Sequence, residues 1–173
     1  MDKLSKASQM INRSLIQSIK YSPQKQIYLH ALPSATLVSF SSNPNSIPIG
    51  SIPSLKKDEL ESVIIKPEQF KANADFLNVL HSTFSRSAHL DPTYQIDALN
   101  YPGSFMALGD YKIILDYMNQ RPDLQNTIGF VHVGFDNIIN PESYEKNDAY
   151  TVCNIDGVIT LSDFMLEELQ KEL

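Results

Sequence analysis

The chain has 173 residues, of which 42% are apolar and 20% charged, with eight Phe, eight Tyr and no Trp, so it is large enough to fold around a core of its own. Its single cysteine, Cys153, excludes an internal disulfide and a cysteine zinc cluster, and indicates a reducing compartment. The longest uncharged stretch, residues 26 to 55, is interrupted by prolines, which excludes a transmembrane helix there.

The charge of −6 is unevenly distributed. The first 57 residues contain seven Lys and Arg and one acid, Asp2, a net +6, whereas the other 116 contain seven basic and 19 acidic residues, a net −12. Phosphate contacts require clustered Lys and Arg, so we expect no nucleic-acid binding by the acidic part. Such asymmetry is informative about a partner or a cellular address rather than about the fold.

Residues 2 to 20 show the apolar spacing of an amphipathic helix. The stripe consists of Leu4, Ala7, Met10, Ile11, Leu15, Ile16 and Ile19. A basic, serine-rich and acid-poor helix is typical of a mitochondrial transit peptide, so we predict a targeting segment over 1–25 and a single α+β domain over 26–173. Two alternatives are a surface helix that packs on that domain and a peripheral helix lying on anionic lipid.

The following stretch predicts strands and one short helix. Ala35 to Ser41 has the composition of a strand. Ser46 to Ile52 is a second candidate, restricted to a sheet edge or a loop because Pro48 and Pro53 cannot donate ladder hydrogen bonds. Leu55 to Ile65 predicts a short helix.

Two helices are predicted in the middle of the chain. Asn73 to about Ala88 carries an apolar stripe of Phe76, Leu77, Leu80 and Phe84. Asp91-Pro92 is a start signal for a second helix, which ends before Pro102-Gly103.

The chain from Ser104 onwards predicts mainly β-hairpins. Gly109-Asp110, between Ser104–Leu108 and Tyr111–Tyr117, predicts a II′ turn. Thr127–Val133 predicts a strand, and Asp156-Gly157, between Tyr150–Ile155 and Val158–Leu161, predicts a I′ hairpin. Ser162 or Thr160 caps the closing helix. The fold class expected from this order is α+β, with a mostly antiparallel sheet built from hairpins and three to five packed helices.

Candidate chemical residues are few. Cys153 and His132 are a conceivable nucleophile and base, because a thiolate near neutral pH needs a neighbouring imidazole or a similar positive group, and His81 and Asp97 complete the candidate catalytic set. His81, His89, Asp91 and Asp97 are residue types that bind zinc or iron. On one helix, however, His81 and His89 would lie about 12 Å apart. We therefore predict no metal and no cofactor.

Acidic and aromatic side chains give weaker signals. Asp110, Asp116, Asp123, Asp136 and Asp148 are expected to be solvated surface. An aromatic groove is one interpretation of Tyr101, Phe105, Tyr111, Tyr117 and Phe130, and core packing is the other.

Several C-terminal motifs suggest a relationship. They are Arg121-Pro122-Asp123, Ile128-Gly129-Phe130-Val131, Tyr144, Tyr150, and Asp156-Gly157 before Leu161-Ser162. Together, Asp116 to Leu161 resembles the C-terminal pattern of a group of small fungal proteins of unknown activity, although Asn126-Thr127 replaces the expected acidic pair. The resemblance implies a fungal protein associated with mitochondria. It implies nothing about catalytic activity.

The leading functional hypothesis is a non-catalytic accessory or assembly protein that binds a protein partner in a complex, with a mitochondrial location. The first alternative is a small enzyme that uses His132, Cys153, His81 and Asp97. The second is a cytoplasmic interaction module that offers an edge strand near Ser46–Ile52 to a partner.

Overall fold

A computed structural model describes residues 15 to 114 and 121 to 173. These residues form an α+β fold of three α-helices and ten strands, and every strand pair is antiparallel, which confirms the predicted fold class. The chain divides into two compact units, one ending at Leu77 and including Leu173, the other spanning Asn78–Glu172. The single-domain assignment of residues 26 to 173 stays a prediction. In the described parts of the chain, no helix combines the length and the apolarity needed to cross a bilayer.

The first unit contains a five-stranded sheet in which each strand pairs with the next along the chain. Its strands are β1 (Gln17–Lys20), β2 (Tyr28–Ala31), β3 (Ala35–Ser39), β4 (Gly50–Pro53) and β5 (Lys71–Ala72). Leu29 lies opposite Val38 and Thr36 opposite Ile52. All four side chains are buried, because alternate residues of paired strands share one face of the sheet.

The helix predicted across residues 2 to 20 is wrong at its C-terminal end. Gln17–Lys20 form β1, Ser18 lies opposite His30, and the Ser18 hydroxyl is 2.8 Å from His30 Nδ1. Pairing with β2 supplies backbone hydrogen bonds that override the weak helical preference of this segment. The predicted border at residue 25 falls inside the turn of this hairpin, and residues 1 to 14 lie outside the described residues.

Two further predictions in this unit need correction. The strand predicted at Ser46–Ile52 begins only at Gly50, and it is not a free edge, because Lys71–Ala72 pair with Gly50 and Ser51. This weakens the strand-addition hypothesis. The helix predicted at Leu55–Ile65 is absent. Its hydrogen bonds reach back only three residues, and its buried residues, Leu60 and Ile65, are five apart, a spacing that does not form a helical stripe.

Three helices confirm the strongest local signals. They are α1 (Ala74–Ser87), α2 (Pro92–Asp97) and α3 (Asp163–Gln170). The Asp91 side chain caps α2 at Thr93 N, and Ser162 rather than Thr160 caps α3 at Met165 N. A 3₁₀ turn, Ala98–Asn100, extends α2 and stops before Pro102, as predicted.

The second unit contains a three-stranded and a two-stranded sheet. The first consists of β6 (Phe105–Gly109), β7 (Thr127–His132) and β8 (Glu145–Lys146), and the second of β9 (Cys153–Asn154) and β10 (Gly157–Val158). Met106 lies opposite Val131 and Leu108 opposite Gly129. These residues, with Leu80 and Phe84 of α1, are buried in the core.

The hairpin predicted at Gly109-Asp110 is wrong. A II′ turn needs a positive φ at its first central residue, and Gly109 does not have one. Gly109 instead pairs with Thr127, and a Cβ at this position would lie 2.9 Å from Pro122 Cβ. The glycine is therefore needed for close packing rather than for a turn, and residues 111 to 114 do not form a strand.

The hairpin predicted near Asp156-Gly157 is confirmed in a shorter form. Its two connecting residues are Ile155 and Asp156, because Asn154 pairs with Gly157. The predicted I′ turn is wrong, since neither connecting residue has a positive φ. Gly157, which follows them, has a φ of 118°.

Candidate functional site

The structure does not bring the four candidate catalytic residues together. His81 lies on α1, where its Nδ1 is 2.7 Å from the hydroxyl oxygen of Tyr144. Burial lowers the pKa of His81, and Lys146 lowers it further. The Tyr144 ring occupies the space where a Cβ of Gly129 would lie, so His81 is placed on the Gly129 face of the three-stranded sheet.

His132 belongs to the opposite face of that sheet. It is three residues beyond Gly129 in β7, and side chains alternate between the two faces of a strand. Its ring meets the Phe105 ring edge-on, with the centroids 5.1 Å apart. His132 and His81 are therefore separated by the sheet.

Cys153 lies near the other end of β7. The residues around it bind the chain just before that strand: Thr151 N donates to Gln125 O at 3.0 Å, and Asn154 Nδ2 donates to Asn126 Oδ1 at 2.8 Å. His132 is five residues beyond Thr127, a distance of about 16 Å along a strand. Cys153 and His132 therefore do not form a nucleophile and base pair.

A buried ion pair that the sequence did not reveal lies at the centre of a polar cluster. Lys112 Nζ lies 2.6 Å from Asp110 Oδ2, and both side chains are 0% exposed. Lys112 Nζ also donates to Thr151 O at 2.6 Å and to Asn126 Oδ1 at 3.3 Å. Asp110 Oδ2 accepts a second hydrogen bond, from the Tyr150 hydroxyl, at 2.7 Å. The prediction that Asp110 is solvated surface is wrong.

This cluster has no capacity left for a substrate. An ammonium has three donors, and Lys112 has a partner for each of them. Burial raises the pKa of Asp110 and lowers that of Lys112, and in both cases the attraction between the two charges opposes the shift. We therefore assign a structural role to the Asp110–Lys112 pair, which joins the end of β6 to the chain around β9.

The remaining candidate, Asp97, lies in a cleft. Its walls are α2 with the following turn, β6, and the chain after β6, and its volume is about 350 Å³. Thr93, Tyr94, Asp97, Asn100, Tyr101, Met106, Ala107, Gly109, Asp110, Tyr111, Ile113, Ile114 and Pro122 line it. The size lies at the lower end of the range for small-molecule and side-chain pockets. None of His81, His132 and Cys153 is among the lining residues.

Tyrosines form one side of the cleft. The rings of Tyr94 and Tyr111 are stacked, with centroids 6.2 Å apart and planes at 23°. The Tyr94 hydroxyl donates to Gly109 O. The Tyr111 hydroxyl lies within hydrogen-bonding reach of the Thr93 and Tyr94 hydroxyls and is shielded from solvent. Burial, and after it the carboxylates of Asp91 and Asp97, raise the pKa of Tyr111, so this hydroxyl is protonated at neutral pH.

Asp97 supplies the unmatched charge of the cleft. Its side chain stays exposed at the mouth, yet partial burial, and after it the nearby Asp91 carboxylate, raise its pKa. Asp110 is the other acid in the lining, and its charge is matched by Lys112. A guest with a positive charge would therefore be favoured over a neutral or an anionic one.

The predicted aromatic groove is partly present. Tyr101 and Tyr111 line the cleft, together with Tyr94. Phe105 lies against His132 instead, and Tyr117 lies outside the described residues. Tyr94 was not singled out from the sequence. Its position could have been inferred, because it lies two residues after Pro92, in the first turn of the helix that Asp91-Pro92 predicts.

Comparisons with protein-family models, with curated proteins and with solved structures each gave no match to this chain. The resemblance to small fungal proteins stays a prediction. Within residues 15 to 114 and 121 to 173, no three His, Cys, Asp or Glu side chains come together as metal ligands. The geometry of the cleft is therefore the observation on which function can be argued.

Proposed function

We propose that this chain is a non-catalytic accessory or assembly protein that binds a protein partner within a complex, and that the cleft lined by α2 and β6 is its contact site. The observation that carries the proposal is the contrast between two clusters. The Asp110–Lys112 pair is buried and fully hydrogen-bonded, whereas the cleft is open and contains the unmatched carboxylate of Asp97.

Exposed apolar side chains around the cleft support a macromolecular partner. Ile114 is 90% exposed and Ile113 is 43% exposed, both in the lining of the cleft. Ile96 and Leu99 are also exposed, on the solvent side of the same helical segment that contributes Asp97. Grouped exposed apolar residues of this kind mark interaction surfaces more often than isolated ones do.

Co-purification of crosslinked partners from the native cell tests the proposal. Ile114→Lys places a positive charge on the cleft rim and should reduce recovery of a stoichiometric partner by about tenfold, since burying an unpaired ammonium costs more than 1.4 kcal/mol. Ile155→Lys is the matched control, because Ile155 is 93% exposed in the β9–β10 turn and outside the cleft. Recovery with Ile114→Lys equal to that of the unchanged protein, or no stoichiometric partner at all, would count against this function.

A mitochondrial location is a second part of the proposal, supported by the basic, acid-poor composition of the first 57 residues. Gln17–Lys20 pair in the sheet and Tyr21 is buried, so the proposed address is the sequence before β1. A deletion of residues 2 to 14 should therefore abolish import without removing β1. Microscopy of the tagged full-length and deleted proteins checks this, with Lys3, Lys6 and Arg13 changed to Gln as a charge-only variant. An identical cytoplasmic distribution of all three proteins would refute the mitochondrial address.

A further inference from the structure

The unmatched negative charge in the cleft favours an occupant with a positive charge. The carboxylates that act on Tyr94 and Tyr111 are those of Asp91 and Asp97, with Asp110 in addition for Tyr94. Asp110 is matched by Lys112. Asp91 is completely buried and accepts from Thr93 N and the Ser162 hydroxyl, so Asp97 is the carboxylate that can reach a guest.

The tyrosines add recognition of a cation. The face of an accessible phenol ring attracts a positive group. Tyr101 and Tyr111 line the cleft and are partly exposed, whereas Tyr94 is buried beneath Tyr111. The rings of Tyr101 and Tyr111 can therefore contact a cation held by Asp97.

The apolar part of the lining fits an alkyl chain. Ile113, Ile114, Ala107 and Pro122 line the cleft beside the polar groups. Long basic side chains place their methylene stems on apolar surface and their charged ends on polar groups. The exposure of Ile114, at 90%, leaves apolar surface for the residues on either side of such a side chain.

We propose that the cleft receives an arginine or lysine side chain of the partner polypeptide, with its charged end on the Asp97 carboxylate and the Tyr111 ring and its stem on Ile113 and Ile114. This inference rests on the proposed function and adds the chemistry of the partner. A net charge of −12 beyond residue 57 would also favour the approach of a basic segment.

Titration of the ¹⁵N-labelled full chain with three short peptides tests the inference. The probes are acetyl-Gly-Leu-X-Leu-Gly-amide with arginine, lysine or citrulline at X. We expect amide shifts in residues 93 to 101 and 107 to 114 with the arginine and lysine peptides, and at least about fivefold weaker binding of the citrulline peptide, the size of a favourable exposed ion pair.

Variants identify the groups that recognise the charge. Asp97→Asn should weaken binding of the arginine peptide about fivefold, and Tyr111→Leu, which removes the aromatic ring, should weaken it about threefold. Asp148→Asn is the matched control, because Asp148 is 89% exposed and does not line the cleft. It should bind like the unchanged chain, and circular dichroism should show the same fold for all variants.

Several outcomes would overturn the inference. They are equal binding of the citrulline and arginine peptides, equal binding by the Asp97→Asn variant, and shifts spread over the acidic surface instead of the cleft. Tighter binding of spermidine than of the arginine peptide would overturn the polypeptide as occupant. If Asp97→Asn still recovers the partner that Ile114→Lys loses, the cationic anchor fails while the proposed function stands.

Discussion

Replacing Lys112 by Met is expected to lower the free energy of unfolding by about 3 to 5 kcal/mol, the usual cost of breaking a buried ion pair by removing one partner. The substitution keeps the apolar length of the side chain and removes only the ammonium. Asp110, whose side chain is 0% exposed, would keep the Tyr150 hydroxyl and the Lys112 backbone N–H but lose its counter-charge. Urea unfolding followed by circular dichroism measures the loss.

The loss should also depend on pH. Burial already raises the pKa of Asp110, and Lys112 holds it down, so removing Lys112 raises it further. A carboxyl whose folded pKa lies above its unfolded value favours folding when protonated. That contribution is lost as pH rises through the folded pKa. The variant should therefore be closer to the unchanged protein at pH 5 than at pH 8.

Two comparisons separate the ion pair from a general effect of substitution. Lys146→Met removes an ammonium that is 3.6 Å from Asp148, with the two side chains 63% and 89% exposed, and should cost less than about 1 kcal/mol. Asp110→Asn combined with Lys112→Met removes both charges and should recover more than half of the loss. A Lys112→Met loss no larger than that of Lys146→Met would contradict the structural role of the pair.

Local signals in the sequence were sufficient to predict α1, α2 and α3, although similar signals also predicted a helix at Leu55–Ile65 that is absent. In α1, Phe76, Leu80 and Phe84 recur every four residues, and all three are buried. The starts of α2 and α3 are determined by side-chain caps at Asp91 and Ser162. These features depend on residues close in the chain, so they can be predicted without knowing the rest of the fold.

Strand pairing was harder to predict because partners are chosen over longer distances. β6 pairs with β7, whose first residue lies well beyond the predicted turn at Gly109. Gln17–Lys20 have helical spacing, yet become a strand because β2 is available next to them. In both cases tertiary contacts overrode a local preference.

The assembly of the cleft was also not predictable from local signals. Asp97 was singled out from the sequence as a candidate catalytic residue, and Tyr101 and Tyr111 as members of a possible aromatic groove. Only the packing of α2 against β6 and the chain beyond it brings Asp97 and Tyr111 into one lining. The Asp110–Lys112 pair could not be predicted, because its burial depends on Tyr150 and Thr151 from much later in the chain.

Replacing Asp91 by Ala is expected to lower the free energy of unfolding by about 2 kcal/mol, the sum of a lost helix cap and a lost charge-assisted hydrogen bond. Asp91 is fully buried and joins the starts of two helices. One carboxylate oxygen accepts from Thr93 N at 2.8 Å, and the other accepts from the Ser162 hydroxyl at 2.6 Å. Ser162 in turn accepts from Met165 N at 3.1 Å. Urea unfolding again provides the measurement.

The joined caps also predict that the two residues are energetically coupled. Ser162→Ala removes the cap of α3 and the same 2.6 Å hydrogen bond, so the double variant should lose less than the sum of the two single variants. Asp91→Asn should lose less than about 1 kcal/mol, because its amide oxygen can still cap α2. It should also lower the pKa of Asp97, since the Asp91 carboxylate raises that pKa; a carboxyl titration followed by NMR detects the change. Strict additivity together with an unchanged Asp97 titration would contradict a link between these helix starts and the cleft.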